Sequence, residues 1–331
     1  MKKISLTGIK PTGILHIGNY FGALKPALGL ARDYEARYFI ADYHALNTMK
    51  DPAELRDTIR QVAAGWLASG LDPERVVFYR QSSVPETFEL STMLMAFTAK
   101  GLMNRAHAYK AAVEENREKG NDTDAGVNMG LFTYPVLMAA DILLFDSDVV
   151  PVGKDQVQHI EMAQDIAQAV NANYRSEVLK IPQAAVEEQV AVVPGLDGRK
   201  MSKSYGNVIP LFAPEKELRA LIMRIVTNSQ GVEESKDPET SRIYQLYRLF
   251  ASAEETAALA RRYREGGMGW GEAKEALFSV ANRELAPLRE KFNGLMADPA
   301  RLDGILGAGA EKARVIARAT VSRMRKAAGI D

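Results

Sequence analysis

Residues 3–20 read Lys-Ile-Ser-Leu-Thr-Gly-Ile-Lys-Pro-Thr-Gly-Ile-Leu-His-Ile-Gly-Asn-Tyr. Lys3 to Thr7 predicts a short buried strand that ends at Gly8, and Gly18 to about Arg32 predicts a helix. The glycine- and proline-containing run between them is a loop, so the stretch is a strand–loop–helix junction. Further strands follow at Arg37–Ala41, Val76–Tyr79 and Asp148–Val152. Between them lie helical patterns. Asp51-Pro52 supplies a cap and a first-turn proline, and Leu55, Ile59, Val62, Trp66 and Leu67 recur at helical spacing until Gly70. Pro85–Ala99, Met103–Asn116, Thr133–Phe145 and Asp155–Asn171 also read as helices, with a polar loop at Lys119–Val127. Strands alternating with helices of this length predict an α/β fold with a Rossmann-like parallel sheet. Ligands of such sheets bind at the carboxyl ends of the strands, where the opening stretch lies.

Beyond Ser204 the pattern changes. Pro214–Val226, Pro238–Ala251, Ala253–Arg264, Trp270–Met296 and Ala300–Ala328 are helical in pattern, with no clear strand. The expected division is a Rossmann-like nucleotide-binding domain over 1–205 and a mainly helical domain over 206–331, whose last helix has the option of packing back on the first domain. Lys312, Arg314, Arg318, Arg323, Arg325 and Lys326 stand against one acid, Glu311. A cationic helix end favoured by the helix dipole is the first reading of that stretch, ahead of a nucleic-acid contact.

The chain has 331 residues, with 42 basic and 42 acidic side chains, so overall charge argues neither for nor against a polyanionic partner. The absence of cysteine excludes disulfides and thiolate metal centres. The four histidines, His16, His44, His107 and His159, have no metal-ligand spacing, and no metal site is expected. The first residues lack the apolar run of a signal peptide. The longest apolar stretch, Leu131–Phe145, is too short to span a bilayer and carries Asp141, so a cytoplasmic protein is expected.

Two stretches carry chemistry. In the first, His16 and Asn19 are three apart at a helix start, and Gly13 and Gly18 let a backbone come close. A helix N-terminus there suits a triphosphate. The second is Arg199-Lys200-Met201-Ser202-Lys203-Ser204-Tyr205, after the loop-forming Pro194–Gly198. Lys200 and Lys203 on a hydroxyl-rich loop suit a polyanion. Lys110 is a third candidate cation. On a helix, Tyr134, Met138 and Asp141 share one face, and an acid among Leu137, Ile142 and Leu143 needs a partner or a ligand. Gly153-Lys154-Asp155-Gln156 follows a strand end and opens a helix, where Asp155 suits either a helix cap or a ribose hydroxyl.

The pair Thr12–Asn19 and Lys200–Ser204 resembles the HIGH and KMSKS signatures of class I aminoacyl-tRNA synthetases, with Asn19 where histidine is usual. Leu6–Leu24, Asp42–Leu46, Tyr134–Phe145, Val150–Glu161, Val226–Ser229 and Gly309–Ala313 extend the resemblance to the bacterial tryptophanyl branch. The resemblance implies ATP-dependent activation of L-tryptophan to the adenylate and its transfer to the terminal 2′-hydroxyl of tRNA(Trp). It implies catalytic roles for Lys200, Lys203, Ser202, His16, Asn19 and Lys110. ATP would also meet Lys10, Thr12, Gly18, Gly153, Asp155, Gln156 and Met201. Tryptophan would meet Leu6, Gly8, His44, Tyr134, Met138, Asp141, Val152 and Gln156. Magnesium would arrive with ATP, the helical region would contact the anticodon, and the family works as a homodimer. A tyrosyl-tRNA synthetase and a non-catalytic synthetase-like paralogue are the rival readings.

Overall fold

The computed structural model describes residues 2–11, 13–153, 156–186 and 193–331. Five strands, β1 (Ile4–Ile9), β2 (Glu35–Ile40), β3 (Val77–Arg80), β4 (Val149–Val152) and β5 (Gln183–Val186), form one sheet in the order β3-β2-β1-β4-β5. Every pairing is parallel. The chain winds outward from β1 to β3, then returns to the other side of β1 as β4, so a crevice opens between β1 and β4. Both sheet faces are buried, as parallel sheets require. Tyr38, Ile40 and Phe78 point to one core together with Trp66. Their strand neighbours Phe39 and Tyr79 point to the other, with Leu6, Val150 and Ile142.

The helix expected over 18–32 is interrupted. It comprises α1 (Ile17–Asn19), a π-turn at Tyr20–Leu24 and α2 (Lys25–Leu30). Pro26 has no N–H to give the carbonyl four residues earlier, and the widened turn closes instead through Lys25 N–H to the Tyr20 carbonyl. Next come α3 (Asp42–Ala45), α4 (Pro52–Ala68), α5 (Glu86–Met95), α6 (Lys100–Met103) and α7 (His107–Glu118). The helix expected from Thr133 begins four residues earlier as α8 (Met129–Leu143), because the Asn128 side chain caps it by accepting from Leu131 N at 2.9 Å. Then follow α9 (Val157–Tyr174), α10 (Glu215–Met223), α11 (Arg242–Phe250), α12 (Ala253–Glu265), α13 (Trp270–Met296) and α14 (Pro299–Ala328). Strand β5 lies in a stretch with no strand expectation. No helix among the described residues is long and apolar enough to cross a membrane.

The last helix, α14, returns to the sheet and lies along edge strand β3, covering backbone that would otherwise be open. Its cationic stretch is not a free patch. The carboxylate of Glu86, buried on α5, accepts from Arg318 at 3.0 Å and Arg314 at 3.2 Å. Arg323 pairs with Asp146 at 2.6 Å and Arg325 with Glu89. Those arginines are therefore clamps between α14 and the sheet layer, while Arg325 and Lys326 stand in the last turn of the helix, as a cationic end requires.

The closest approach is at Gly309, where an added methyl group would come 1.7 Å from the Phe78 carbonyl oxygen. Gly304, on the same helix, faces open space. Gly309→Ala is expected to destabilise the fold by about 1–3 kcal/mol through overpacking. Gly304→Ala should stabilise it by roughly 0.5–1 kcal/mol through helix propensity. Urea unfolding of the two variants measures both, and equal shifts would contradict the close β3–α14 seat.

Candidate active site

A cavity of about 550 Å³ opens between the carboxyl ends of β1 and β4. Strand β1 contributes Leu6, Thr7 and Gly8, and β4 contributes Val150, Pro151 and Val152. Gly153 and Gln156 follow from the loop after β4, and α8 supplies Tyr134, Met138 and Asp141 from one face. His44 comes from α3, Lys10 from the loop after β1, and Ala23 from the π-turn. Of the residues expected around an amino acid, all eight line this one hollow: Leu6, Gly8, His44, Tyr134, Met138, Asp141, Val152 and Gln156. Gly8 leaves room for an aromatic wall, since a methyl group there would sit 2.5 Å from the Phe39 ring. Phe39 itself lines the cavity and stacks on Tyr79 at 5.7 Å.

Asp141 is 2 % exposed and fully engaged on its inner side. Gln81 Nε2 donates to both carboxylate oxygens, at 2.9 and 2.8 Å, and His44 Nε2 lies 3.0 Å from Oδ2. Gln81 is itself oriented, because its Oε1 accepts from Tyr43 N at 3.1 Å. Burial pushes the Asp141 carboxyl up, and the His44 and Gln81 contacts pull against it. A carboxylate offers about four acceptor positions, so one remains for a donor in the cavity. Beyond it, Tyr134 Oη hydrogen-bonds His159 Nε2.

The second group of expected residues gathers at α1. Asn19 N donates to His16 Nδ1 at 3.3 Å, while Asn19 Oδ1 accepts from His16 N at 3.1 Å. This reciprocal cap explains how asparagine serves at that position. With Nδ1 accepting, the neutral ring carries its proton on Nε2. His16 is buried, and burial, reinforced by the Lys203 charge, lowers its pKa from 6.5 to about 4.

The lysine loop folds onto this helix start. Ile17 N donates to the Ile209 carbonyl at 3.0 Å and Leu211 N to the Leu15 carbonyl at 2.9 Å, with His16 and Pro210 bridged antiparallel. Gly18 N lies 3.3 Å from Met201 Sδ. A methyl group on Gly13, whose φ is +59°, would sit 3.2 Å from Lys203 Nζ. The Lys203 ammonium is lowered by partial burial, as is that of Lys10. Lys200 is exposed on the same loop, and Ser202 N donates to Asn207 Oδ1 at 2.8 Å. Lys10 and Ala23, which flank this group in sequence, both line the large cavity, so the two constellations adjoin.

Lys110 is exposed on α7 and is not among the cavity-lining residues, although Ala108 of that helix is. Thr12, Lys154 and Asp155 lie outside the described residues. Sequence reasoning missed Gln81, Phe39, His159 and Asn207. Gln81 follows β3 in an unremarkable Tyr-Arg-Gln-Ser run, and Phe39 reads as core. Asn207 was in view, two residues past the lysine motif, but only coordinates reveal its contacts. Among the described residues no group of three or more His, Asp or Glu side chains could hold a metal ion.

The family model for class I tRNA synthetases of the tryptophan and tyrosine group matches residues 2–286. A tryptophan--tRNA ligase of Xanthomonas axonopodis pv. citri is 52% identical over 328 residues, covering 98% of this chain and 76% of the relative. The Neisseria meningitidis serogroup A tryptophan--tRNA ligase is 49% identical, covering 99% of this chain and 98% of the relative. The tryptophanyl-tRNA synthetase of Campylobacter jejuni, solved with ADP and tryptophan, superposes with a TM-score of 0.91 at 44% identity, covering 98% of this chain and 99% of that one. The tyrosyl enzyme of Aeropyrum pernix, at 19% identity and a TM-score of 0.63, shares the fold. An aromatic-walled, acid-floored cavity beside two joined signature segments thus occurs in a chain that belongs to the class I tRNA synthetases, in their tryptophanyl family.

Proposed function

We infer that the chain is a tryptophan--tRNA ligase: it activates L-tryptophan with ATP and transfers it to the terminal adenosine 2′-hydroxyl of tRNA(Trp). The observation that carries this reading is one cavity, floored by Asp141, that adjoins the helix start on which the lysine loop closes.

The reaction needs no protein nucleophile. The tryptophan carboxylate attacks the α-phosphate of ATP in line, the bond to the β,γ-diphosphate breaks, and pyrophosphate leaves. The chain's task is to position two reactants and offset the developing charge. Asp141 accepts the indole N–H with its remaining acceptor position, Met138 and Phe39 pack on the ring, and Tyr134 and Gln156 face the head group. His44, which lines the same hollow, serves through its contact with Asp141. Gly153 and Gln156 lie toward the ribose, and the resemblance assigns Asp155 to it as well. Lys10, Gly18 and Asn19 frame the phosphates with His16, a neutral donor, and the resemblance assigns Thr12 to ATP as well. Lys200 and Lys203, with Met201 and Ser202 setting their loop, meet the charge on the leaving pyrophosphate. Lys110 is a peripheral cation on the neighbouring helix. Magnesium enters with the ATP phosphates. The helices α10–α13 form the arm toward the anticodon, α14 packs back on the sheet, and the working form is a cytoplasmic homodimer.

Pyrophosphate exchange across the twenty amino acids tests the assignment. Tryptophan should support exchange and tyrosine should not; the reverse result would make the chain a tyrosyl enzyme, and silence with all twenty would make it a non-catalytic relative.

Asp141→Ala should raise the tryptophan KM by about tenfold or more, given about 1.5–3 kcal/mol for a hydrogen bond to a charged group. The ATP KM should stay within error. Unchanged tryptophan affinity in a folded variant would remove Asp141 from the pocket.

A folded pKa of about 4 keeps His16 neutral above roughly pH 5. The pH–rate profile of exchange should therefore carry no inflection near 6.5 from this residue. An inflection there that disappears in His16→Gln would contradict a neutral donor.

A further inference from the structure

The lysine loop is stitched from behind by one side chain that no phosphate-binding role explains. Asn207 is 2 % exposed and uses both ends of its amide. Its Oδ1 accepts from Ser202 N at 2.8 Å. Its Nδ2 donates to Asp197 Oδ1 at 2.7 Å and to the Lys200 carbonyl at 3.2 Å. Its own carbonyl accepts from Leu196 N at 3.0 Å. The loop backbone is shaped to this residue, for a methyl group on Gly195 would lie 2.3 Å from Asn207 Nδ2. Asp197 in turn ion-pairs Arg199 at 2.6 Å, and the Arg199 guanidinium lies 4.2 Å from the Tyr205 ring centroid. Asp197 is held at a pKa of about 2, first by the Asn207 amide and then by Arg199.

We propose that Asn207 and Asp197 form a latch that sets the Lys200–Lys203 segment in the conformation that presents both ammonium groups to the phosphates. The proposal rests on the function inferred above. Asn207 is a positioning residue: it acts through the Lys200 carbonyl and the Ser202 amide, the backbone groups that bracket Met201. Met201 seats its sulfur against Gly18 N at 3.3 Å, so fixing these two groups fixes where the loop meets α1. Only an amide satisfies the arrangement, because one end must accept and the other must donate. The isosteric carboxylate keeps the Ser202 contact but sets two negative oxygens at hydrogen-bond distance, which repels.

Asn207→Asp, Asp197→Asn and the exchanged pair Asp197→Asn/Asn207→Asp form the test. The exchanged pair restores donor opposite acceptor with the roles reversed, losing the contacts to the Lys200 carbonyl and from Arg199 N, and the Arg199 ion pair. Two readouts are taken on the full chain. The first is limited trypsin cleavage after Arg199, Lys200 and Lys203 without substrates, which reads the loop whatever the reaction. Asn207→Asp should be cut at least about tenfold faster than the native chain, and the exchanged pair should return toward the native rate. The second is tryptophan-dependent pyrophosphate exchange. Asn207→Asp should lower kcat by about a hundredfold, the scale of a misplaced catalytic group, with the tryptophan KM unchanged. The exchanged pair should recover most of that loss. Native cleavage rates in folded Asn207→Asp, or an exchanged pair no better than Asn207→Asp in both readouts, would overturn the latch. A native chain silent with tryptophan while the cleavage pattern holds would overturn the functional reading and leave the latch standing.

Discussion

Two backbone hydrogen bonds, Ile17 N to Ile209 O and Leu211 N to Leu15 O, join segments from opposite ends of the sheet domain. Everything chemical in this molecule depends on that joint. Closing so long a loop costs entropy, though the cost grows only slowly with length. Burial of apolar side chains on both strands of the joint offsets it: Leu15, Ile17, Ile209 and Leu211 are each 6 % exposed or less. The joint is short because it needs only to set a distance. His16, at its centre, both caps α1 and faces the loop that carries Lys203. A helix start and a lysine-bearing loop thereby become parts of one surface.

Four strands of the parallel sheet were legible because short stretches rich in apolar and aromatic residues alternate with helical patterns, while β5, Gln-Ala-Ala-Val, carries too little of that signal. The C-terminal helices were legible from their period. What escaped was decided by single atoms that a period cannot carry. Pro26 lacks one N–H, and a helix opens into a π-turn that places Ala23 at the cavity. Asn128 offers one oxygen, and α8 starts a turn early. The clamping role of the α14 arginines escaped because their partners, Glu86, Glu89 and Asp146, lie far away in sequence. At the site, Asp141, Lys200, Lys203 and His16 stood out as charge or hydrogen-bonding capacity in unusual surroundings. Gln81 and Asn207 did not, because a neutral amide becomes informative only when its neighbours are known.

Gln81 and Asn207 share a logic. Each is a buried amide that fixes a charged group without adding charge. Gln81 donates twice to Asp141, and Asn207 donates to Asp197 while accepting from Ser202. A buried carboxylate without donors would take up a proton and cease to act as an acceptor. An arginine in place of Gln81 would hold it more tightly but would fill the hollow and occupy its last acceptor position. The amide is the compromise: enough donors to keep the carboxylate in place, with one position left toward the ligand.

The same economy governs the phosphate side. His16 and Lys203 sit close enough that the lysine charge helps keep the imidazole neutral. A second cation there would repel the first. A neutral imidazole avoids that conflict while still donating from Nε2. On the proposed function, the negative charge of an arriving polyphosphate attracts the Lys203 ammonium. The attraction is therefore greatest when charge on the leaving oxygens is greatest, which is the condition under which binding energy lowers a barrier instead of deepening a ground state. Asn19 fits this scheme where a histidine is usual: it returns the cap to His16 through its own amide oxygen, and so sustains the tautomer on which the neutral donor depends.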